Sequence, residues 1–237
     1  MDQEARRLQL AASLDEVRER IARACVSADR DPGSVALVAV TKTYPASDVL
    51  LLAGLGVTDV GENKDQEAGP KAFSVRSEGA FLRWHYVGQL QRNKAKSVVT
   101  YADVVESVDS VRLTTALSAA SVRLREGSPL EVLVQVSIDG DPLRGGVPPD
   151  ELLPVAAAVA SAEGLRLGGV MAVAPMGWEP DRAFETLAGL TARLTAEHPA
   201  ATTVSAGMSG DLEAAIRHGA THVRIGTSLL GMRNTLR

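Results

Sequence analysis

This 237-residue sequence has little cysteine and lacks long apolar runs, and each of these features excludes a class of protein. The single cysteine, Cys25, excludes an internal disulfide and favours a reducing compartment, so we expect a cytoplasmic location. Cys25 lies within a helical pattern, where we expect a packed thiol rather than a nucleophile. No apolar run reaches the roughly 18 residues of a membrane span, and residues 1–10 lack the basic-then-apolar order of a signal peptide.

Aromatic side chains and positive charge are also in short supply. Aromatic residues make up 3% of the chain, the formal net charge is -4 and the sequence pI is about 5.6. Nucleic acids and anionic membranes select proteins with basic surfaces, and single strands also need stacking platforms. We therefore expect neither partner, and the one local basic cluster, residues 90–98, is typical of a solvated helix face.

Lysine is much rarer than arginine: the chain has five lysines and 20 arginines, and no lysine follows position 96. Chemistry that needs a primary amine therefore has few candidates, which are Lys42, Lys64, Lys71, Lys94 and Lys96.

What the sequence does contain is a regular alternation of short apolar strands and amphipathic helices. The pattern predicts a helix in residues 1–30, then strands at 35–41, 59–61, 84–88, 104–107, 132–137, 167–173, 203–206 and 223–225. Helices are predicted between them at 46–55, 64–73, 92–100, 110–125, 149–162, 182–197 and 212–218, with a last one starting at Thr227. Such Val-rich strands, apolar on both sides, are typical of a parallel sheet covered on both faces.

Eight strand–helix units in about 200 residues predict an α/β fold, a (β/α)8 or TIM barrel. We expect one domain over residues 1–237, with the barrel at about 35–232 and the first helix as an addition. A doubly wound open sheet is the alternative.

The first strand delivers a lysine to the edge of the sheet where barrel active sites lie. Lys42 follows the apolar run of residues 35–40, and Pro45 then suits a helix start. We expect Lys42 to be partly desolvated, which favours the neutral amine and Schiff-base formation with a carbonyl. The alternative is a lysine that simply extends into solvent.

Two loops near the end of the chain suggest an anion site. Ser209 stands where a helix N-cap is expected, and Gly226 and Thr227 stand where another helix begins. Each alone is typical of an ordinary cap, but loops after strands seven and eight hold phosphate in many barrels. Opposite Lys42 they favour a ligand with both a carbonyl and a phosphate, such as pyridoxal 5′-phosphate.

Three further residues are weaker candidates. Arg224 could face the ring nitrogen of such a ligand or form a salt bridge inside the barrel. His85, with Asn63 nearby, could line the ring, although a structural histidine is the preferred interpretation. The sequence shows no metal-ligand spacing and no nucleotide or nucleophile-elbow motif.

Seven stretches carry a family resemblance: VAVTKTYP at 38–45, GENKDQEA at 61–68, WHYVGQLQRNKAK at 84–96, VESVDS at 105–110, VLVQVSI at 132–138, GVMAVAP at 169–175 and GMSGDLEAAIRHGATHVRIGTSLLG at 207–231. In this order they closely resemble the pyridoxal phosphate homeostasis protein family. The resemblance implies a barrel like that of alanine racemase, of fold type III. It implies an aldimine on Lys42, Arg224 near the pyridine nitrogen, and contacts from Asn63, His85, Met208, Ser209, Gly226 and Thr227.

The resemblance also implies a protein that binds pyridoxal 5′-phosphate for vitamin B6 homeostasis and delivers it to apo-enzymes without turnover. A single-domain amino-acid racemase, with Tyr44 as a possible acid or base, and a lysine aldolase remain alternatives. Because few residues follow the barrel, we expect no C-terminal β domain and a monomer. The chain departs from the family where some members have a lysine in the loop after strand five, since Arg144 stands there, and where residues 232–237 lack lysine.

Overall fold

The protein folds into a closed barrel of eight parallel strands, as seen in a computed structural model that describes residues 2–141 and 144–231. Neighbouring strands follow chain order, and β8 closes the barrel by pairing with β1. The predicted TIM barrel is confirmed, and the open-sheet alternative is wrong. The strands are β1 (Ala36–Val40), β2 (Asp59–Glu62), β3 (Arg83–Tyr86), β4 (Val104–Val108), β5 (Leu130–Val136), β6 (Leu165–Ala172), β7 (Thr203–Ser205) and β8 (His222–Ile225).

Helices surround the barrel. They are α1 (Gln3–Ser27), α2 (Ala46–Gly54), α3 (Asp65–Ser77), α4 (Ala95–Val98), α5 (Val111–Leu124), α6 (Leu152–Ala160), α7 (Pro180–Glu197), α8 (Leu212–Arg217) and α9 (Thr227–Leu230). Helix α1 packs on the outside of the helices α2, α8 and α9. The helix predicted at 92–100 is shorter than expected, because a 3-10 turn at Arg92–Lys94 precedes α4. Likewise α6 starts at Leu152, after Pro148 and Pro149, rather than at 149. None of the helices in residues 2–141 and 144–231 is long and apolar enough to cross a bilayer.

The added helix α1 covers the side of the barrel where β8 meets β1. It contacts α2, α8 and α9, and it buries Leu10, Leu14, Val17 and Ile21 at helical spacing. Cys25, on the same helix, is fully buried as predicted, and burial raises the pKa of its thiol. The N-terminal segment is therefore an integral part of the packed structure.

The barrel interior is partly polar. Val104, Leu133 and Met171 form a small apolar cluster inside it. Hydrogen bonds also cross the interior between strands that are not neighbours, because Ser205 on β7 donates to Glu106 on β4 at 2.6 Å. This arrangement places charged groups directly beneath the carboxyl edge of the sheet.

Candidate functional site

A cavity of about 390 Å³ opens at the carboxyl ends of the strands, a size typical of small-molecule pockets. It brings together seven of the eight predicted site residues: Lys42, Asn63, Met208, Ser209, Arg224, Gly226 and Thr227. The sequence separates these residues widely, and the barrel unites them because parallel strands end at one edge. The remaining wall is largely apolar and consists of Val40, Val87, Gly88, Met171, Val173 and Gly210.

Lys42 lies in a tight turn immediately after β1. The Tyr44 N–H donates to the Thr41 carbonyl at 3.1 Å, which closes the turn, and Lys42 projects from it to the cavity. Lys42 is exposed, so the expectation of partial desolvation is wrong for this structure. The turn stands at the open rim of the barrel, where water reaches the side chain.

The turn is strained at Thr43. Its φ of 70° is in the left-handed region, which a β-branched residue rarely adopts. Such a conformation costs on the order of 1–3 kcal/mol and persists only where surrounding contacts hold it. Two of these contacts come from α3, because Glu67 accepts a hydrogen bond from the Thr43 N–H and Lys71 donates to the Thr41 carbonyl at 2.9 Å.

Sequence reasoning missed the role of this helix, although a signal was present. Glu67 and Lys71 are four residues apart and therefore share one face of α3. Glu62 ends β2 and meets the same lysine at 2.6 Å. Glu62, Glu67 and Lys71 are charged residues close together in sequence beside an apolar strand. That pattern could have suggested a buried ion-pair network.

Arg224 reaches the cavity from β8 and is anchored from below. Its guanidinium donates to the Ser205 hydroxyl and to the Ala172 carbonyl, both at 2.8 Å, and lies 3.9 Å from Glu106. Burial lowers the pKa of Arg224 and Glu106 opposes that effect, but an arginine stays protonated in any case. The salt bridge expected inside the barrel is present, and Arg224 also lines the cavity.

His85 does not join the other predicted site residues. It is buried beneath the cavity, where Nδ1 lies 2.6 Å from Glu106 and Nε2 lies 2.9 Å from Asp59. It is not part of the cavity wall, so the inclusion of His85 among ligand-contacting residues is not supported by this geometry. Both ring nitrogens face carboxylates, which is the arrangement of a structural histidine.

The charges beneath the cavity balance each other. Burial alone would lower the pKa of His85, but its hydrogen bonds to Asp59 and Glu106 outweigh burial and raise the pKa to about 9. Burial likewise opposes ionisation of Glu106, and the bond to His85 nevertheless lowers its pKa to about 2. At neutral pH the carboxylates of Asp59 and Glu106 thus face the cations His85 and Arg224. These ion pairs hold the Arg224 guanidinium in place.

The loop after β7 differs from the prediction at its helix start. The helix α8 begins at Leu212 after Asp211, so Ser209 is not its N-cap. The Asp211 carboxylate instead accepts a hydrogen bond from the Met208 N–H at 2.6 Å and shapes the loop. This leaves the Ser209 hydroxyl 2.9 Å from that of Ser228, which connects the loops after β7 and β8.

The loop after β8 agrees with the prediction. Gly226 precedes α9, which starts at Thr227. Thr227 is exposed, and Gly226 and Thr227 both line the cavity together with Ser209. Hydroxyl groups and a glycine that allows close backbone approach suit an oxyanion.

A second glycine fixes the opposite wall. A methyl group added to Gly88 would lie 2.2 Å from the Asn63 carbonyl oxygen, which is closer than any side chain tolerates. Gly88 therefore lets the loop after β3 lie against Asn63, and it keeps that residue at the cavity.

The arrangement as a whole suits a small planar anion with an electrophilic carbon. One end offers a primary amine, the floor offers a fixed guanidinium, the loops offer hydroxyl groups, and valine and methionine side chains offer an apolar surface. No cluster of three or more metal-binding side chains exists within residues 2–141 and 144–231.

Residues 12–234 match the family model described as alanine racemase, N-terminal domain. A protein of Mycobacterium leprae named pyridoxal phosphate homeostasis protein is 42% identical over 240 residues, which cover 95% of this chain and 93% of that protein. The chain belongs to the pyridoxal phosphate homeostasis protein family. The Escherichia coli K12 member is 38% identical, with 95% of this chain and 97% of the relative covered.

Solved structures agree with this family assignment. PipY of Synechococcus elongatus, described with pyridoxal phosphate bound, superposes with a TM-score of 0.80 at 30% identity over 94% of this chain and 100% of that one. Alanine racemase of Corynebacterium glutamicum is 15% identical with a TM-score of 0.71, and this chain covers 62% of it. That second likeness shows a shared barrel fold.

Arg144 lies in the loop after β5. Its guanidinium donates to the Val173 carbonyl at 2.8 Å and lies 3.3 Å from Asp139. Arg144 thus connects two loops and does not line the cavity. The lysine-free segment 232–237 lies outside the described residues.

Proposed function

We propose that this protein binds pyridoxal 5′-phosphate in the cavity at the carboxyl ends of the strands. The observation that carries the proposal is the convergence of Lys42, Arg224 and the Ser209 and Thr227 loops on one cavity. An amine, a cation and a hydroxyl-rich anion site match the aldehyde, the ring nitrogen and the phosphate of that cofactor. A relative that is 30% identical is described with the same cofactor bound.

Each group has a distinct part in binding. The Lys42 amine adds to the aldehyde carbon and water leaves, which gives a Schiff base as the bound state. The cofactor supplies an electron-withdrawing ring when bound. Ser209, Gly226 and Thr227 hold the phosphate, Asn63 and Met208 flank the ring, and Arg224 donates to the ring nitrogen.

We propose a carrier role in vitamin B6 homeostasis rather than turnover. Relatives carry the name homeostasis protein, and Lys42 is exposed at an open rim, where a bound cofactor can leave to an apo-enzyme. Arg224 would also make the ring a weaker electron sink, because a ring nitrogen that accepts a hydrogen bond from a guanidinium stays unprotonated. We further propose a monomer in the cytoplasm; its one thiol, Cys25, is buried, which suits a reducing compartment.

A single-domain amino-acid racemase is the second candidate. Tyr44 lines a second cavity together with Lys42, Gly226, Thr227 and Gly231, which places a phenol side chain beside the lysine. The Tyr44 hydroxyl donates to the Gly231 carbonyl at 2.6 Å, which holds its proton in place. Exchange of the α-proton of alanine or other amino acids in deuterated water would support the racemase, and its absence would support the carrier.

The decisive experiment is an absorption titration with pyridoxal 5′-phosphate, followed by borohydride reduction and peptide mapping. We expect a pyridoxyl group on the peptide that contains Lys42. Lys42→Ala should lose the label, whereas Lys64→Ala, which changes an exposed lysine just outside the cavity, should retain it. Equal labelling of Lys42→Ala and the unchanged protein would contradict the assignment.

Transfer is tested separately from binding. The loaded protein is mixed with an apo-enzyme that requires the same cofactor, in the presence of an excess of a trap for free cofactor. Activation that resists the trap indicates direct delivery, and activation that the trap abolishes contradicts it.

A further inference from the structure

Lys71 is a buried lysine that lies outside the cavity. It is 6% exposed, and its ammonium donates to Glu62 at 2.6 Å, to Glu67 at 2.8 Å and to the Thr41 carbonyl at 2.9 Å. Three acceptors use all three N–H groups of an ammonium. Lys71 is therefore fully engaged as a cation and is not a second site for an aldehyde.

Lys71, Glu62 and Glu67 form a charged cluster that contacts the residue before Lys42 and the residue after it. Thr41, which precedes Lys42, makes two of these contacts. Its carbonyl accepts a hydrogen bond from Lys71, and its hydroxyl donates to Glu62 at 2.7 Å. After Lys42, the Thr43 N–H donates to Glu67. The residues flanking Lys42 are thus fixed, while its own side chain projects to the cavity.

The cluster also has a charge balance that keeps Lys71 in place. Burial raises the pKa of Glu62, and the hydrogen bonds from Lys71 and Thr41 oppose that effect. Without the ammonium, two carboxylates would face each other across the Thr41 carbonyl. Lys71 therefore links the contacts on the two sides of the turn, directly at Thr41 and through Glu67 at Thr43.

We propose that Lys71, with Glu62 and Glu67, is a positioning group that holds the Lys42 turn in the conformation that presents the amine to the cavity. This inference rests on the proposed binding of pyridoxal 5′-phosphate through Lys42. The left-handed Thr43 is the part of the turn that relaxes when the cluster is removed, because its conformation depends on surrounding contacts. Lys42 then points elsewhere, while the phosphate and ring contacts remain.

The test compares two ligands that differ in one group. Pyridoxal 5′-phosphate has the aldehyde that reacts with an amine, and pyridoxine 5′-phosphate has the same ring and phosphate without it. In Lys71→Met we expect the stopped-flow rate of Schiff-base formation to fall about 10- to 100-fold, as for a reacting group that is misplaced. The dissociation constant for pyridoxine 5′-phosphate should remain within about twofold of the unchanged protein, since no aldehyde contact is involved.

Two further variants complete the design. Lys94→Met removes a half-exposed lysine that lies 3.8 Å from Asp65 and does not contact the Lys42 turn, and it should leave both measurements unchanged. Glu67→Ala removes only the Thr43 contact and one partner of Lys71, at a half-buried position. It should slow Schiff-base formation as well, and it serves in place of Lys71→Met if that variant does not fold.

The outcomes separate this inference from the function on which it rests. Schiff-base formation at the normal rate in both Lys71→Met and Glu67→Ala overturns the positioning role. Equal losses for both ligands overturn it too, because they indicate a general collapse of the site. If the unchanged protein forms no Schiff base at Lys42, the proposed function fails first.

Discussion

Raising the pH should destabilise this protein through a single buried histidine. In the folded chain His85 has a pKa of about 9, and in the unfolded chain it returns to about 6.5. The pKa is raised on folding, so the stabilisation is complete below about pH 6.5 and is lost as the pH rises through about 9. Above that value Asp59 and Glu106 face a neutral ring.

The size of the effect follows from the difference in pKa. Each pKa unit corresponds to about 1.4 kcal/mol, so a difference of about 2.5 units gives up to about 3 kcal/mol. A domain of ordinary stability has about 5–15 kcal/mol in total, so the loss is a substantial fraction of it. Between these two pKa values the free energy of unfolding should fall by about 1 kcal/mol per pH unit.

Urea denaturation at pH 6.5, 7.5, 8.5 and 9.5 measures this dependence, with His85→Gln as the comparison. The variant keeps a polar side chain but binds no proton, so its free energy of unfolding should vary far less over the same range. His222, whose ring centre lies 6.1 Å from that of His85, does not interfere, because burial and the nearby His85 charge lower its pKa below this window. Parallel curves for the two proteins would refute the reasoning.

Further changes test other parts of the structure. Below about pH 4.5 a second loss of stability is expected as Glu106, whose pKa is lowered to about 2, becomes protonated, and Glu106→Gln should make this acid limb shallower in the same urea experiment. At pH 7 that variant should cost about 3–5 kcal/mol, as for a broken buried ion pair, whereas the exposed Glu185→Gln should change stability by less than about 0.5 kcal/mol. Gly88→Ala should cost about 1–3 kcal/mol and weaken cofactor binding, because the new methyl group displaces Asn63, while Gly189→Ala, in the open middle of α7, should stabilise by up to about 1 kcal/mol. Lys42→Ala should leave the thermal midpoint nearly unchanged, since the side chain is exposed, and unchanged absorption of bound cofactor in that variant would contradict its role.

The fold could be read from the sequence because its signals are local and repeated. Eight Val-rich strands alternate with amphipathic helices, and all eight predicted strands overlap observed ones. The errors lie at element ends, such as α6, where the two prolines before it delay the helix, and the loop after β7, where Asp211 rather than Ser209 precedes α8. Those ends depend on loop contacts that no local pattern records.

The candidate site was partly determined by the same logic. Lys42, Arg224 and Gly226 could be assigned to one edge because each follows or ends a strand, and parallel strands of a barrel end together. The depth of each side chain could not be assigned in this way. His85 is buried and Lys42 is exposed, although the family resemblance implied ligand contacts from both; the residues alone favoured a structural role for His85.

The sequence by itself therefore determined the barrel, the family and the edge where the chemistry lies, since these follow from periodicity and from motifs that are continuous along the chain. Only the tertiary structure decided that His85 is a buried cation between Asp59 and Glu106, and that Lys71 donates to the Thr41 carbonyl beside Lys42. The physical reason is that charge pairing is set by distance in space. Those partners lie between 21 and 30 residues apart in the chain and within 3 Å in the folded protein.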